Sequence, residues 1–273
     1  MKMDKDKKKT ILQIGNLVTP ILCGVVIAIG SVGTNWQSVF GADPYDKLLD
    51  PAGFTFAIWG PIFFFIGLFY VYQARDLFRS EKLDMPYVHQ VSVFFMASTV
   101  ATTAWYLLWA NGFIWPSVLT MAIYLVSLLA GYLRLEINKV DRSVKEHLYI
   151  TAGWSLYTGW ITAALIVNTT TGFAAAGFDA PILGEVGWTI LILGVALIIY
   201  VLVLVRRNDY TFAGVGAWAT FGVFVERLLN PTAPIVTLVA GLGALILIFA
   251  IILWGYRMKK LGRLTFFTKL RNR

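Results

Sequence analysis

Residues 50–65 read DPAGFTFAIWGPIFFF. No charged side chain follows Asp50 until Arg75, so the segment has the length and composition of a membrane-spanning helix. Trp59, Gly60 and Pro61 nevertheless stand side by side inside it. A proline within a helix offers no N–H and clashes with the carbonyl four residues back, here Ala57, so the stretch predicts a kink with loosened backbone polar groups beside Trp59. Gly60 is expected to admit a neighbouring helix closely. Asp50 is placed to cap the helix with Pro51 at its first position, and Asn230-Pro231 repeats that arrangement before the last apolar run.

Outward from this segment the chain keeps the same character. Of its 273 residues, 58% are apolar and only 14% charged, with a mean hydropathy of +0.70. That composition excludes an ordinary soluble domain. Runs free of Asp, Glu, Lys and Arg cover 10–42, 51–74, 85–133, 147–178, 186–205, 210–225 and 228–256. Most hold one span of roughly 17–25 residues. The run over 85–133 holds two, because Asn111-Gly112 supplies a turn and Pro116 an early-helix residue. The reading is an all-α polytopic membrane protein with eight helices, over 11–33, 52–74, 88–110, 113–133, 148–168, 183–205, 210–226 and 233–256.

Charge placement sets the orientation. With both termini cytoplasmic, every lysine and arginine except Lys47 and Arg227 falls on the inner side of the membrane. The net charge of +8 then orients the chain and meets anionic headgroups, and no soluble basic domain is left to bind nucleic acid. The lysine-rich start runs into an apolar stretch of spanning length without a small-residue cleavage pattern, so the first helix is expected to stay. Cys23 is the only cysteine, which excludes an intramolecular disulfide. Asn168-Thr169-Thr170 fits a glycosylation pattern at the outer mouth of a helix, and chance accounts for it.

The acidic residues fall in tails, loops or at helix ends, and His89 and His147 at the inner edges, so the bundle interior is expected to be neutral. Glu185 and Glu226 stand at the outer ends of helices six and seven, where they are expected to be interfacial, Glu226 pairing with Arg227. Metal-ligand spacings, a nucleophile with a partner base and a phosphate-binding loop are missing. This reading expects no enzyme, catalytic residue or metal.

Tryptophan is what the chain has in excess, ten of them. Trp36, Trp115 and Trp254 suit the headgroup belt. Trp59 lies about 10 Å below the outer end of its helix and Trp160 near the middle of helix five, at 1.5 Å per residue. Trp105 sits a turn below Trp109. Buried indoles need polar partners, so these positions predict an aromatic pocket in the outer half of the bundle, with Trp59 and Trp160 as facing walls.

Three segments carry a family resemblance over residues 11–170. DPAGFTFAIWGPIFF resembles the opening of the second helix in the tryptophan-rich sensory proteins, the TspO/MBR or translocator-protein family. TTAWYLLWANGFIWPS resembles that family's third helix and hairpin, and GWSLYTGWITAALIVN its fifth helix. Where the family's third helix often carries asparagines, this chain has Ser98 and Thr102, and the loop GADPYDKLLDP lacks the family's tryptophans and Pro-Pro pair. The resemblance implies a five-helix bundle over 11–170, preceded by a basic cytoplasmic N-terminus at 1–10. Three additional helices follow over 171–256, then a basic tail at 257–273. It implies a binder, sensor or transporter of planar hydrophobic molecules, with haem or protoporphyrin as ligand rather than cofactor. The implied ligand contacts are Trp59, Pro61, Ser98, Thr102, Trp105, Tyr157, Trp160 and Asn168. The alternatives are a permease subunit for another small solute and a membrane scaffold, the latter suggested by Gly214, Gly216, Gly222, Gly241 and Gly243 as smooth helix faces. Expected partners are membrane lipid and the small molecule. Helices six to eight serve equally well as a cover for the bundle or a homodimer face. A bacterial plasma membrane is the expected location.

Overall fold

The computed structural model describes residues 2–32, 45, 47–178 and 180–261. Trp36 and Asp43 lie outside them. Among the described residues eight long helices form the fold: α1 Lys2–Gly30, α2 Gly53–Ala74, α3 Phe94–Ala110, α4 Ile114–Arg134, α5 Val144–Ala175, α6 Gly184–Arg207, α7 Tyr210–Leu229 and α8 Pro234–Lys260. Seven are long and apolar enough to cross a membrane, and α3 is a shorter apolar helix of 17 residues. The chain is an integral membrane protein of all-α class. The end of the bundle that holds the start of α1 is called basal here, and the opposite end distal.

The eight-helix reading holds, and several boundaries move for physical reasons. Helix three divides: Pro86–Val91 forms a short separate helix with Pro86 in its first turn, and Ser92 at φ 50° breaks the ladder before α3. At 1.5 Å per residue α3 spans only about 25 Å, and the short helix closes the rest of the basal side. Helix five runs past its expected end to Ala175, so Asn168 lies inside α5, 4% exposed, and not at a helix mouth. Burial leaves no route for glycosylation there. Lys2 through Lys9 form the first turns of α1 instead of a separate tail, and α8 carries Arg257, Lys259 and Lys260 in its last turn.

The Trp-Gly-Pro stretch is not a kink within a span. Residues Gly53–Ile58 form a 3₁₀ turn, and the α-helical part begins at Trp59, so Pro61 falls in the first α turn, where an N–H has no intrahelical partner to lose. The Ala57 carbonyl accepts the Trp59 backbone N–H. Gly60 faces open space and admits no helix. Asp50 does not cap α2 either: its Oδ2 accepts the Lys47 backbone N–H at 3.1 Å, and Ala52 stands at the cap. Before α8 the first-turn proline is Pro234, while Asn230 ends α7 and donates to Glu226 Oε1 at 2.6 Å. The hairpin between α3 and α4 forms as read, with Gly112 at φ +75° where a side chain is disfavoured.

α5 is the hub. Its Trp154, fully buried, meets Phe69 of α2 and Phe95 of α3 edge-on or tilted, at 6.3 and 5.9 Å between ring centroids. α7 packs on α5 and α8, and α6 on α7 and α8, so the three C-terminal helices close one flank of the bundle. Four glycines that suggested a surface for partners are used within the chain. A Cβ on Gly216 would enter the Tyr200 ring, one on Gly222 would meet Thr55 Oγ1, one on Gly241 would lie 2.9 Å from Phe224, and one on Gly243 3.1 Å from Leu197. Gly214 alone of the five faces open space. Tyr200 is 1% exposed and hydrogen-bonded to the Gly159 carbonyl, so its ring has nowhere to retreat. Gly216→Ala is expected to cost about 1–3 kcal/mol through overpacking, read as a lowered unfolding midpoint in detergent; an unchanged midpoint would contradict this packing.

The acidic residues stand near helix ends as read, but some of those ends are enclosed by other helices. At the basal end Asp76, fully buried, accepts Lys9 Nζ at 2.7 Å, Gln13 Nε2 at 2.8 Å and the Leu83 backbone N–H at 2.8 Å. Burial by itself raises this carboxyl, but the bonds from Lys9, Gln13 and Leu83 and the Lys9 charge outweigh it and hold the group below its ordinary value. A lowered folded-state pKa contributes stability that is present above the unfolded value of about 4 and is lost as pH falls through the folded value. Wild-type protein should therefore lose thermal stability below about pH 4 more steeply than Asp76→Asn; parallel curves would refute the assignment.

Candidate functional site

A cavity of about 440 Å³ opens within the distal half of the bundle. Four tryptophans line it: Trp59 on α2, Trp105 and Trp109 on α3, and Trp160 on α5. Met121 and Tyr124 of α4 reach into its lining from another side. The volume is that of a drug-sized ligand site, and such sites are mostly apolar with a few fixed polar groups.

The local order follows from the helices that carry these rings. The 3₁₀ turn at the start of α2 brings Phe56 and Trp59 toward α5, where Trp160 stands 5.7 Å from Phe56 and 6.4 Å from Trp59 by ring centroids. Trp59 and Trp160 are edge to face at 82°, so they form one corner of the cavity and not facing walls. The start of α2 and the middle of α5 thus meet through these two indoles. Trp105 stacks on Trp109 at 6.2 Å, one turn away on the same helix face. Trp105 Nε1 donates to Asn168 Oδ1 at 3.0 Å, and Asn168 Nδ2 donates to Ser117 Oγ at 3.2 Å. This amide therefore fixes α3, α4 and α5 around the cavity.

Of the residues singled out by sequence, Trp59, Trp105, Trp160 and Asn168 share the lining. Tyr157 lies behind it: its hydroxyl is bonded to Tyr124 and its ring meets Trp59 edge-on at 5.9 Å. Thr102 on α3 lies beside the Tyr124 hydroxyl. Ser98 is fully buried and returns its hydroxyl to the Phe95 carbonyl at 2.7 Å, and Pro61 is exposed on the outside of α2.

Sequence reasoning missed the part of the wall that α6 and α7 supply. α6 contributes Leu193, Ala196 and Tyr200, and α7 contributes Ala219, Thr220, Val223, Glu226 and Arg227. No motif announces these positions; only the spacing of Ala219, Val223 and Glu226 along one face of α7 carries a signal. α7 is stitched to the opening of α2 as well. Trp218 Nε1 donates to the Thr55 carbonyl at 2.8 Å, and the Ala52 N–H donates to the Gly222 carbonyl at 3.1 Å. The distal rim holds ions. Glu226 lies 3.7 Å from Arg227 and Asp50 3.3 Å from Lys47, so the two cations that the charge pattern left on the far side are each close to an acid. Arg227 does not reach for water: it is 3% exposed and donates to Thr232 Oγ1 at 3.3 Å.

Comparison with known proteins agrees with this arrangement. No curated protein and no solved structure gives a significant match to the chain. A family model described as TSPO-like protein matches residues 11–253, from α1 into α8, so the match includes the helices that complete the cavity wall. An aromatic cavity inside a multi-helix membrane bundle and a family match over most of its length lead to one conclusion: the chain belongs to the TSPO-like protein family.

Proposed function

We propose that this membrane protein binds a planar, largely apolar small molecule in its distal cavity, and that this binding underlies sensing or transport of the ligand. The cavity of about 440 Å³ with four tryptophans in its lining carries the reading. Indole faces offer large rigid contact area at low entropy cost, and an edge-to-face corner such as Trp59 with Trp160 leaves ring surface for a flat ligand to stack on. Porphyrins and sterols are the classes to try. Titration of purified protein with protoporphyrin, haem, sterols and unrelated amphiphiles, read by tryptophan fluorescence, is expected to give saturable quenching with the planar ligands. Absence of saturation with every planar compound would reject the proposal.

In this reading the distal end faces outward and both termini the cytoplasm, as the charge distribution supports. In a Cys23→Ser background, cysteine at Asn230, exposed beyond α7, should react with an impermeant thiol reagent added to intact cells, and cysteine at Ser80 or Ser143 should not. Labelling at Ser143 with protection at Asn230 would invert the orientation.

A further inference from the structure

The cavity has two sides of different chemistry, divided by α5. Residues two positions apart point nearly opposite ways on a helix with 3.6 residues per turn. Yet Ile166 and Asn168 both line the cavity, as do Ile161 and Ala163, so the space wraps around α5 instead of lying along one face of it. Ala163 and Ala164 keep the wall thin where it passes the helix. At the rim the ionic groups answer one another: Asp50 is paired with Lys47, and Glu226 and Arg227 with each other and with Asn230 and Thr232. Discrimination inside the cavity is left to its apolar walls.

Those walls differ in kind. The indoles stand together on the side of Asn168, which accepts from Trp105, while Trp160 meets Trp59. On the side of Ile166, Leu193 of α6 and Val223 of α7 line the cavity and belong, with Ile166 and Val167, to a separate hydrophobic core. Among the described residues the buried members of that core are leucines, valines and alanines. Ala196 and Ala219 extend the same aliphatic lining. Tyr200 brings a ring to this side, but the ring packs against Gly216 and Phe212, the latter at 5.3 Å between centroids. Indole faces stack on a planar ring. Alanine, valine and leucine offer no such face and instead make many small dispersion contacts with a chain. A rigid plate cannot turn around a helix about 10 Å across, whereas a chain with rotatable bonds can.

From this division we infer that the cavity takes aromatic rings that carry a flexible aliphatic chain, the ring against the tryptophans and the chain passed around α5 onto α6 and α7. The assignment rests on the binding function proposed above and deepens it, since it makes α6 and α7 the part of the protein that selects a ligand by its chain. Leu193, Ala196, Ala219 and Val223 are then specificity-determining residues.

Pyrene and 1-butylpyrene share one ring and differ in the chain. Each is titrated into the purified full-length protein in detergent, with energy transfer from tryptophan as readout and each affinity corrected for the probe's partition into micelles. The wild type is expected to bind butylpyrene about tenfold more tightly than pyrene, less than burial of four carbons from water would give because the chain leaves detergent. Ala219→Phe fills the aliphatic side from α7 and should bring that ratio to about one. Ala196→Leu fills it from α6 by a smaller step and should lower the ratio too, which keeps the test open should Ala219→Phe fail to fold. Trp109→Ala lies on the ring side and should weaken both probes together, so that most of the ratio remains. A ratio that survives the filling variants, or one that falls as far in Trp109→Ala as in Ala219→Phe, overturns the assignment. Equal binding of the two probes by the wild type sinks only the chain side, whereas no saturable binding of either probe sinks the cavity reading beneath it.

Discussion

Replacing Asp209 by alanine is expected to destabilise the protein by about 3–5 kcal/mol and to free α7 from the bundle. Asp209 is 1% exposed and holds three helices at once. Its Oδ1 accepts the Phe212 backbone N–H at 2.9 Å and caps α7, and its Oδ2 accepts the hydroxyls of Tyr132 on α4 and Ser155 on α5, each at 2.7 Å. Alanine removes a cap, worth about 0.5–2 kcal/mol, and strands two buried hydroxyls at about 1–3 kcal/mol each before relaxation. Asparagine is expected to cost little, because its oxygen keeps the cap and both hydroxyls can turn to accept from its amide. Burial also raises the Asp209 carboxyl above its ordinary range, against the bonds from Phe212, Ser155 and Tyr132. A raised folded-state pKa gives stability that is complete below the unfolded value and is lost as pH rises through the folded value. Unfolding midpoints measured against pH should accordingly move in favour of Asp209→Asn as pH increases. An alanine variant as stable as wild type would show that these bonds do not hold α7.

The second large effect belongs to the cavity. Trp160→Ala and Trp59→Ala each remove a wall of the same corner, and a desolvated aromatic contact is worth about 0.5–1.5 kcal/mol beyond its area. Affinity for a porphyrin should fall by roughly an order of magnitude in each variant, since 1.4 kcal/mol is a factor of ten. The two rings touch, so the double variant should lose less than the sum of the single losses. Trp254→Ala serves as the control: its indole donates to Asn208 Oδ1 at 2.8 Å at the basal end, away from the cavity lining. If all three variants stay folded and bind alike, the corner does not contact the ligand.

How much of this was legible in the sequence depends on the length scale of the signal. Apolar runs bounded by charges gave the helix count, because the bilayer imposes a span length that composition alone reveals. The hairpin was legible because Gly112 needs a positive φ and sits where two spans must part. The break at Ser92 was not: no glycine or proline marks it, and it arises because the basal segment packs Val88 and Val91 into the core, both fully buried. Trp-Gly-Pro was misread as a kink because helix position, which decides what a proline disrupts, depends on where the 3₁₀ turn ends.

The same division holds at the cavity. Trp59, Trp105 and Trp160 were findable because indoles deep in a span stand out against aliphatic neighbours, whereas Asn168, read at a helix mouth, entered only through the family resemblance. The wall from α6 and α7 was not, since Leu193, Ala196 and Val223 look like any lipid-facing residue until the packing is known. Charges at helix ends were placed correctly along the chain, yet Asp76 and Asp209 turned out enclosed, because pairing partners from other helices cover them.

The stitching of α7 to the opening turn of α2 has a consequence for biogenesis. Thr55 and Trp218, joined by one hydrogen bond, are 163 residues apart. At a synthesis rate of about 5–20 residues per second, the partner of the Thr55 carbonyl leaves the ribosome roughly 8–30 s after that carbonyl does. For that interval the nascent first half of the protein lies in the bilayer with its aromatic cavity open along one flank to the hydrocarbon, where a lipid tail or an insertion chaperone is the available stand-in until α7 arrives.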